Sequence, residues 1–359
     1  MVDQLFAPVP GGTGRYAGEL AAALALAIPE GSSLQTWSAW RGLRHPISSG
    51  TPGLRELPLG SKVLARMWER GLGPAPRDAD VVHATTLFLP PRRCAALVVT
   101  IHDVVPWTHP ELLTPRGVVF HRRMGARAAR EADLIVTPTV AVADQVRDIL
   151  SPAADVTAVP PGFSAALGVP DDASERRPRF ARHDGYLLFV GTSEPRKGLD
   201  TLLGALSEPP LSNQSLVVVG PRGWGGMDVG RDAAALGVGG RVTVTGRVND
   251  ADLAALYAGA SLVVMPSRAE GFGLPILEAM SLGVPVITSD DPAMCEVGGG
   301  ATQLFPVGDA AALCAAIVRV LGDEALRTQM VDSGRSRARE FDWSDSARTL
   351  WGHYARLAQ

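Results

Sequence analysis

"SLVVMPSRAEGFGLPILEAMSLGVPVITSD", residues 261–290, reads as one repeat of a parallel α/β fold. "SLVVMP" (261–266) is apolar without alternation, the mark of a strand buried on both faces. A helix follows, with Pro275 in its first turn, where a missing N–H costs nothing, and Gly283 at a left-handed stop. "PVIT" (285–288) is the next strand. This frame puts Glu270 in the loop before the helix and Glu278 one turn inside it. Between them Gly271, Phe272 and Gly273 let backbone N–H groups approach a ligand at the helix N-terminus. Such a carboxylate pair can accept hydrogen bonds from sugar or ribose hydroxyls. Taken alone, the pair reads first as a loop cap, Glu270, and a solvated helix residue, Glu278.

The same alternation runs outward in both directions. "DVVHA" (80–84), "ALVVTIHD" (96–103) and "ADLIVTP" (132–138) are strands of a first series, with a helix from Arg116 to Ala132. "YLLFVG" (186–191), "SLVVVG" (215–220) and "RVTVTG" (241–246) join residues 261–288 in a second. Continuous apolar strands alternating with helices predict parallel sheets covered on both faces. The polar stretch "PDDASERRPRFARHDG" (170–185) reads as a linker. The predicted organisation is an α/β first domain over 1–163, a linker over 164–184 and a second domain over 185–340. A final amphipathic helix over 341–359 packs back towards the first domain. Ligands of such sheets bind in loops at the carboxyl ends of strands.

"GTSEPRKGLD" (191–200) is one of those loops, and it holds one of only two lysines in the chain, Lys197; the other is Lys62. Strand, Gly191, the basic pair Arg196–Lys197 and a helical start make the layout of an anion site, where a compact ammonium meets phosphate oxygens.

Together these segments resemble the retaining glycosyltransferases of family 4. Glu270 and Glu278 enclose "GFGLPIL", similar to that family's E-x7-E signature, and "GTSEPRKGLD" is similar to its phosphate loop. "GRVNDADLAALYAGASLVVMPS" (246–267) resembles its nucleotide-side segment, "PGGTGRYAGEL" (10–20) its N-terminal glycine loop and "TIHDVVPWTHPE" (100–111) its histidine motif. "VPPGF" (159–163) resembles the end of its first domain. The resemblance implies a GT-B fold, two doubly wound Rossmann-like domains facing a cleft. It implies that Lys197, with Arg196, stabilises the leaving diphosphate. Glu270 and the amides of Gly271, Phe272, Gly273 and Leu274 would hold the transferred sugar, and His102 would reach it from the first domain. Glu278 would bind the ribose, Gly12, Thr13 and Gly14, with Gly191, would approach the phosphates, and backbone at Arg247 and Val248 would meet the base. The implied donor is GDP-mannose or a UDP-sugar, the implied acceptor a glycan or lipid-linked sugar, and no cofactor or metal is expected.

Two features depart from the family pattern. Thr192 stands where many relatives carry Arg, so that Arg196 would substitute, and "MVDQLFAPVPGG" offers only a short first strand. The expectation is a truncated strand or a start placed late. Thr192 also motivates an alternative, a non-catalytic relative or partner subunit that binds nucleotide sugar. An epimerase of the same architecture is a third.

Composition narrows the rest. Net charge of −3 and pI near 6.2 argue against nucleic acid as a partner. Cys94, Cys295 and Cys314 lack CxxC spacing, so neither a disulfide framework nor a zinc site is expected, and the compartment is cytoplasmic. The longest early apolar run, Leu20 to Ile28, is too short to span a membrane. Asp-Ala-Asp at 78–80 and at 250–252 reads as cap or strand-edge chemistry rather than a metal site. The glycines at 12, 14 and 18 miss dinucleotide-binding spacing, which sets a dehydrogenase aside. Neither lysine suits a pyridoxal phosphorylase. Arg116, Arg123, Arg127 and Arg130 share a helical face, solvated or in contact with anionic lipid at the inner membrane surface. His83, His109 and His121 read as structural or acceptor-side, and His45, His183 and His353 lack context.

Overall fold

The computed structural model describes residues 1–7, 10–42, 53–163, 167–181 and 184–359. His45 and His183 lie outside them. The chain forms two units. One contains Met1–Pro110, Pro115–Gly162 and Phe341–Gln359, the other Glu111–Thr114 and Phe163–Glu340.

In the first unit β1 (Thr36–Ser38) and β2 (Leu54–Glu56) form a parallel pair. β3 (Val81–Ala84), β4 (Ala96–Thr100), β5 (Leu134–Thr137) and β6 (Asp155–Ala158) form a parallel sheet in that order. Residues 1–2 link the two, because the Val2 N–H donates to the Trp37 carbonyl at 2.9 Å and the Met1 ammonium to the His83 carbonyl at 2.6 Å. The helix Gly11–Leu26 and the last helix, Trp343–Leu357, cover this sheet. Their apolar faces, Tyr16, Leu20 and Leu24 against Ala347, Leu350 and Tyr354, close over Val98, Leu134 and Val136. The chain passes close as it returns: a Cβ on Gly162 would lie 2.3 Å from the Trp343 nitrogen.

In the second unit β7 (Tyr186–Val190), β8 (Leu216–Val219), β9 (Val242–Gly246), β10 (Ala260–Met265), β11 (Val286–Ser289) and β12 (Gln303–Phe305) form one parallel sheet. Its order is β12-β11-β10-β7-β8-β9. The chain therefore winds one way from β7 to β9 and the other way from β10 to β12, and the winding reverses between β7 and β10. Leu187, Phe189, Leu216, Val218, Leu262 and Val264 are fully or almost fully buried, as strands covered on both faces require.

Short polar side chains start the helices. Thr139, Asp228, Asn249, Asp291, Asp309, Asp323 and Asp342 each accept a backbone N–H from the first turn of the helix that follows. The polar stretch read as a linker carries a short helix, Ala173–Arg176, and a turn, Arg177–Arg179. Two of its arginines pair with carboxylates, while Asp171, Glu175 and Arg179 are exposed. Arg176 bridges Asp172 and Asp252 at 2.6 and 2.9 Å, and Arg177 grips Asp184 through two nitrogens.

One sequence expectation fails here. Arg127 does not lie on a solvated basic face. It is 3% exposed, and its guanidinium donates to the Trp68 and Pro90 carbonyls and the Glu131 carboxylate. The face containing 127 is where the helix Pro115–Glu131 meets its own unit. No helix of the described residues is long and apolar enough to cross a membrane.

Candidate active site

All six strands of the second sheet run in parallel, so the loops after β7, β9, β10 and β11 leave the same edge. The loop after β7 closes as a 3₁₀ turn, Pro195–Lys197, followed by Gly198 at φ 65°. The loop after β10 crosses it, and the Arg268 N–H donates to the Arg196 carbonyl at 2.7 Å. Arg268 also clamps Asp200 through both guanidinium nitrogens, at 2.8 and 2.6 Å.

Glu270 is the hub where these loops meet. One carboxylate oxygen accepts Arg196 at 2.7 Å; the other accepts the Lys197 ammonium and the Ser267 hydroxyl, the latter at 2.7 Å. Burial alone would raise the carboxyl, but Arg196 and Lys197 outweigh it and hold it at about 2, so Glu270 is a carboxylate throughout the neutral range. Arg196 is further tied to Glu194 at 3.0 Å and to the Ala269 carbonyl at 3.1 Å. Lys197 makes one side-chain hydrogen bond among the described residues, to Glu270. Its stem runs past Gly191, whose added Cβ would sit 3.8 Å from the Lys197 Cε.

The helix Leu274–Ser281 begins after Gly273, which adopts φ 88°. Glu278 on this helix is 4% exposed, so it is not a solvated helix residue. It accepts the Tyr257 hydroxyl at 2.7 Å. Phe272 is 7% exposed. Arg247 and Val248 follow β9 on the same edge, two strands from β7 and therefore about 10 Å away. They share the edge without joining the cluster.

In the first unit, Gly12, Thr13 and Gly14 form the first turn of the helix Gly11–Leu26 rather than a free loop. A Cβ on Gly14 would lie 2.4 Å from the Pro10 Cβ and 2.9 Å from the Gln4 carbonyl oxygen, so packing within the unit already requires that glycine. His102 follows β4; its Nε2 lies 2.8 Å from the Thr85 carbonyl and its ring stands edge-on to Tyr16. Burial lowers its pKa, and a carbonyl partner requires the proton on Nε2, which leaves Nδ1 as an acceptor. Nearby His83 is held neutral by burial and joins Tyr354 and Thr100, at 2.6 and 2.8 Å. His121 and His109 bond to their own neighbourhoods, the Gly117 carbonyl and the Thr108 hydroxyl.

Sequence reasoning passed over Ser267, Tyr257 and Asp291. Asp291 was detectable as an N-cap ahead of Pro292. Its Oδ1 accepts the Ala293 and Met294 N–H groups, while its Oδ2 accepts the Glu270 N–H at 3.3 Å. Burial raises its carboxyl to about 6; the Met294 N–H opposes the shift and the Glu270 charge adds to it. A raised carboxyl keeps its proton in the folded state after the unfolded chain has lost it, so the stability it contributes at low pH disappears as pH rises through about 6. Between pH 5 and 7, the stability of the parent chain relative to Asp291→Asn is therefore expected to fall by about 1 kcal/mol. Urea denaturation of both across that range checks this, and a constant gap contradicts it. Among the described residues no three His, Cys, Asp or Glu side chains are grouped so as to hold a metal ion.

Residues 171–337 match the family model described as glycosyl transferases group 1, and residues 10–167 that of Glycosyltransferase Family 4. The O-antigen chain mannosyltransferase B of Escherichia coli is 32% identical over 301 residues, spanning 81% of this chain and 79% of its own. The chain belongs to the family 4 glycosyltransferases, which transfer a sugar from a nucleotide sugar. The fold of this glycosyltransferase is GT-B. It is similar to sucrose-phosphate synthase from Thermosynechococcus elongatus, with TM-score 0.79 and 22% identity, covering 99% of this chain and 97% of that one. It is also similar to Anabaena Alr3699/HepE in complex with UDP and glucose, with TM-score 0.72 and 18% identity, covering 96% of each.

Proposed function

We propose that this family 4 glycosyltransferase is a retaining mannosyltransferase that moves mannose from a nucleoside diphosphate, GDP-mannose first, to a hydroxyl of a glycan or lipid-linked sugar. The observation that carries the reading is the Arg196–Lys197–Glu270 cluster at the point where the winding of the second sheet reverses. Open α/β sheets bind their ligands at that point. The mannosyltransferase relative supports the sugar, and the neighbour with bound UDP keeps uridine nucleotides in the test.

The two cations have different roles. Arg196 is held by Glu194, the Ala269 carbonyl and Glu270, so it fixes the loop and lends charge. Lys197 uses one of its three N–H donors on Glu270 and can offer the others to the diphosphate. Glu270, ionised and acceptor-only, takes hydrogen bonds from sugar hydroxyls, and buried Glu278 takes those of the ribose. His102 of the first unit, with Nδ1 as acceptor, suits a sugar hydroxyl. The bond from the sugar C1 to the diphosphate oxygen breaks as C1 bonds to the acceptor oxygen on the same face. The acceptor proton passes to the departing phosphate, whose negative charge Lys197 stabilises. A lipid-linked acceptor would bring the chain to the cytoplasmic membrane surface.

Thermal melting with GDP, UDP and ADP tests the reading in the parent chain, Lys197→Ala and Glu278→Gln. A nucleotide at 100 times its Kd adds about 2.7 kcal/mol to stability. The expected result is a raised Tm with GDP that both substitutions abolish. A shift with UDP alone replaces the donor, and no shift with any nucleotide moves the non-catalytic relative or partner subunit ahead.

A further inference from the structure

Tyr16, His83, Thr100 and Tyr354 form one polar network beside His102, all of it in the first unit. His83 on β3 pairs in register with Val98 on β4, and Thr100 lies two residues further along β4, on the same face of the sheet. The His83 ring reaches across to that strand and up to the last helix. Its Nε2 lies 2.8 Å from the Thr100 hydroxyl, and its Nδ1 lies 2.6 Å from the Tyr354 hydroxyl. Burial keeps the ring neutral, so one nitrogen carries a proton, the other is bare, and each has a hydroxyl for its partner. The next step along the same two strands is the site. The Thr85 carbonyl, two residues beyond His83, lies 2.8 Å from the Nε2 of His102, two residues beyond Thr100. Tyr16 closes the network: its hydroxyl stands 3.5 Å from that of Thr100, and its ring meets the His102 ring edge-on at 4.7 Å between centroids.

We propose, resting on the reading that His102 meets a sugar hydroxyl, that Thr100, His83 and Tyr354 are positioning residues for His102. The His83–Thr100 contact fixes the exits of β3 and β4 against each other, which keeps the Thr85 carbonyl on Nε2 and leaves Nδ1 bare. A sugar hydroxyl can donate only to a bare nitrogen. With the strand exits loosened, Nε2 loses its fixed partner, the two tautomers draw level, and the acceptor nitrogen is present for only part of the time. Tyr354 extends the hold to the last helix, which thereby serves the site as well as the core. That role accounts for the hydroxyls of Tyr16 and Tyr354, which stand in an apolar cluster with Leu20, Val98 and Leu350 where phenylalanine rings would fill the same space. A buried polar network whose members are all paired specifies one geometry.

Proton–nitrogen correlation NMR of the histidine rings in the full chain tests this, with the His102 signals assigned by their loss in His102→Gln. In the parent the His102 Nε2 is expected in the protonated range and Nδ1 in the bare range. Thr100→Val keeps the side-chain shape and removes the hydroxyl; it is expected to draw the two His102 nitrogen shifts towards each other, as exchange between tautomers does. Thr100→Ser returns the hydroxyl and is expected to restore the parent spectrum. Tyr354→Phe removes the far end of the network and should move the signals the same way by less, in a chain that keeps its packing. Val98→Ala loosens the same core without removing a hydrogen bond and should leave them in place. His102 signals that stay unmoved in both Thr100→Val and Tyr354→Phe, or that Val98→Ala moves as far, overturn the proposal. Hydrolysis of GDP-mannose by water, followed as GDP release, separates it from the functional reading. Thr100→Val is expected to lower kcat about tenfold or more with KM within about threefold of the parent, since a displacement of about 1 Å at a reacting centre costs about 100-fold. If the signals move and neither Thr100→Val nor His102→Gln slows hydrolysis, the positioning stands and His102 leaves the chemistry. If His102→Gln slows it and Thr100→Val does not, the network does not serve the site and the proposal falls.

Discussion

Replacing Lys197 by alanine is expected to lower kcat by two to three orders of magnitude, the cost of about 3–4 kcal/mol that follows removal of one donor from a developing negative charge. The effect is large because Lys197 is the cation with donors still to give, whereas Arg196 is already held on three sides. Lys197→Arg is expected to recover less than tenfold, because a planar fork on a shorter flexible stem does not place its charge where an ammonium did. Removal of the ammonium also leaves Glu270 with Arg196 and Ser267 alone, so its carboxyl should rise from about 2. Steady-state kinetics with saturating donor and the circular dichroism of the variant check this together. A kcat within threefold of the parent in a folded variant removes Lys197 from the chemistry.

The sequence made the second sheet more legible than the first, for physical reasons. β7, β8, β10 and β11 are buried on both faces and therefore spelled as unbroken apolar runs. β1, β2, β6 and β12 are three or four residues long and partly exposed, and "LRE" at β2 or "QLF" at β12 carries no signal to separate it from a loop. The 170–185 stretch was opaque for a different reason: composition shows how many charges it has, whereas pairing of Arg176 with Asp252, 76 residues away, depends on the fold. Lys197 and Glu270 could be picked out because glycine, proline and strand ends frame them. Their contact could not, since it requires β7 and β10 to be neighbours, and sequence order hides that adjacency across two intervening strands.

Asp291 brings a second carboxylate next to the Glu270 loop. It stands after β11 and ties its own helix start and the Glu270 amide with one carboxylate. A second fully ionised carboxylate beside Glu270 would oppose an incoming diphosphate. Burial raises the Asp291 carboxyl to about 6, so it is mostly ionised at neutral pH and loses that charge as the solution becomes mildly acidic.

Gly198→Ala is expected to damage both stability and catalysis. Gly198 adopts φ 65° and ψ 24°, where a side chain costs about 1–2 kcal/mol by itself. More severely, an added Cβ would lie 1.9 Å from the Pro266 carbonyl oxygen, a backbone atom that no rotamer change moves aside. Pro266 directly follows β10, and the Arg268 N–H to Arg196 carbonyl bond two residues later holds its loop against the 195–198 turn. The turn must therefore move away by more than 1 Å, and the Lys197–Glu270 and Arg196–Glu270 pairs open with it. Displacement of that size at a reacting centre costs about 100-fold in rate, so kcat/KM should fall at least that far. Stability should fall by about 3 kcal/mol or more, combining backbone strain with lost hydrogen bonds. Gly226→Ala separates the two causes: Gly226 adopts φ 71° with nothing within 4 Å of its added Cβ. It should therefore show only the backbone cost of about 1 kcal/mol and keep its activity. Denaturant midpoints and kcat/KM of the two variants decide the matter. If Gly198→Ala is no worse than Gly226→Ala, the crossing of the two loops is not what holds Lys197 on Glu270.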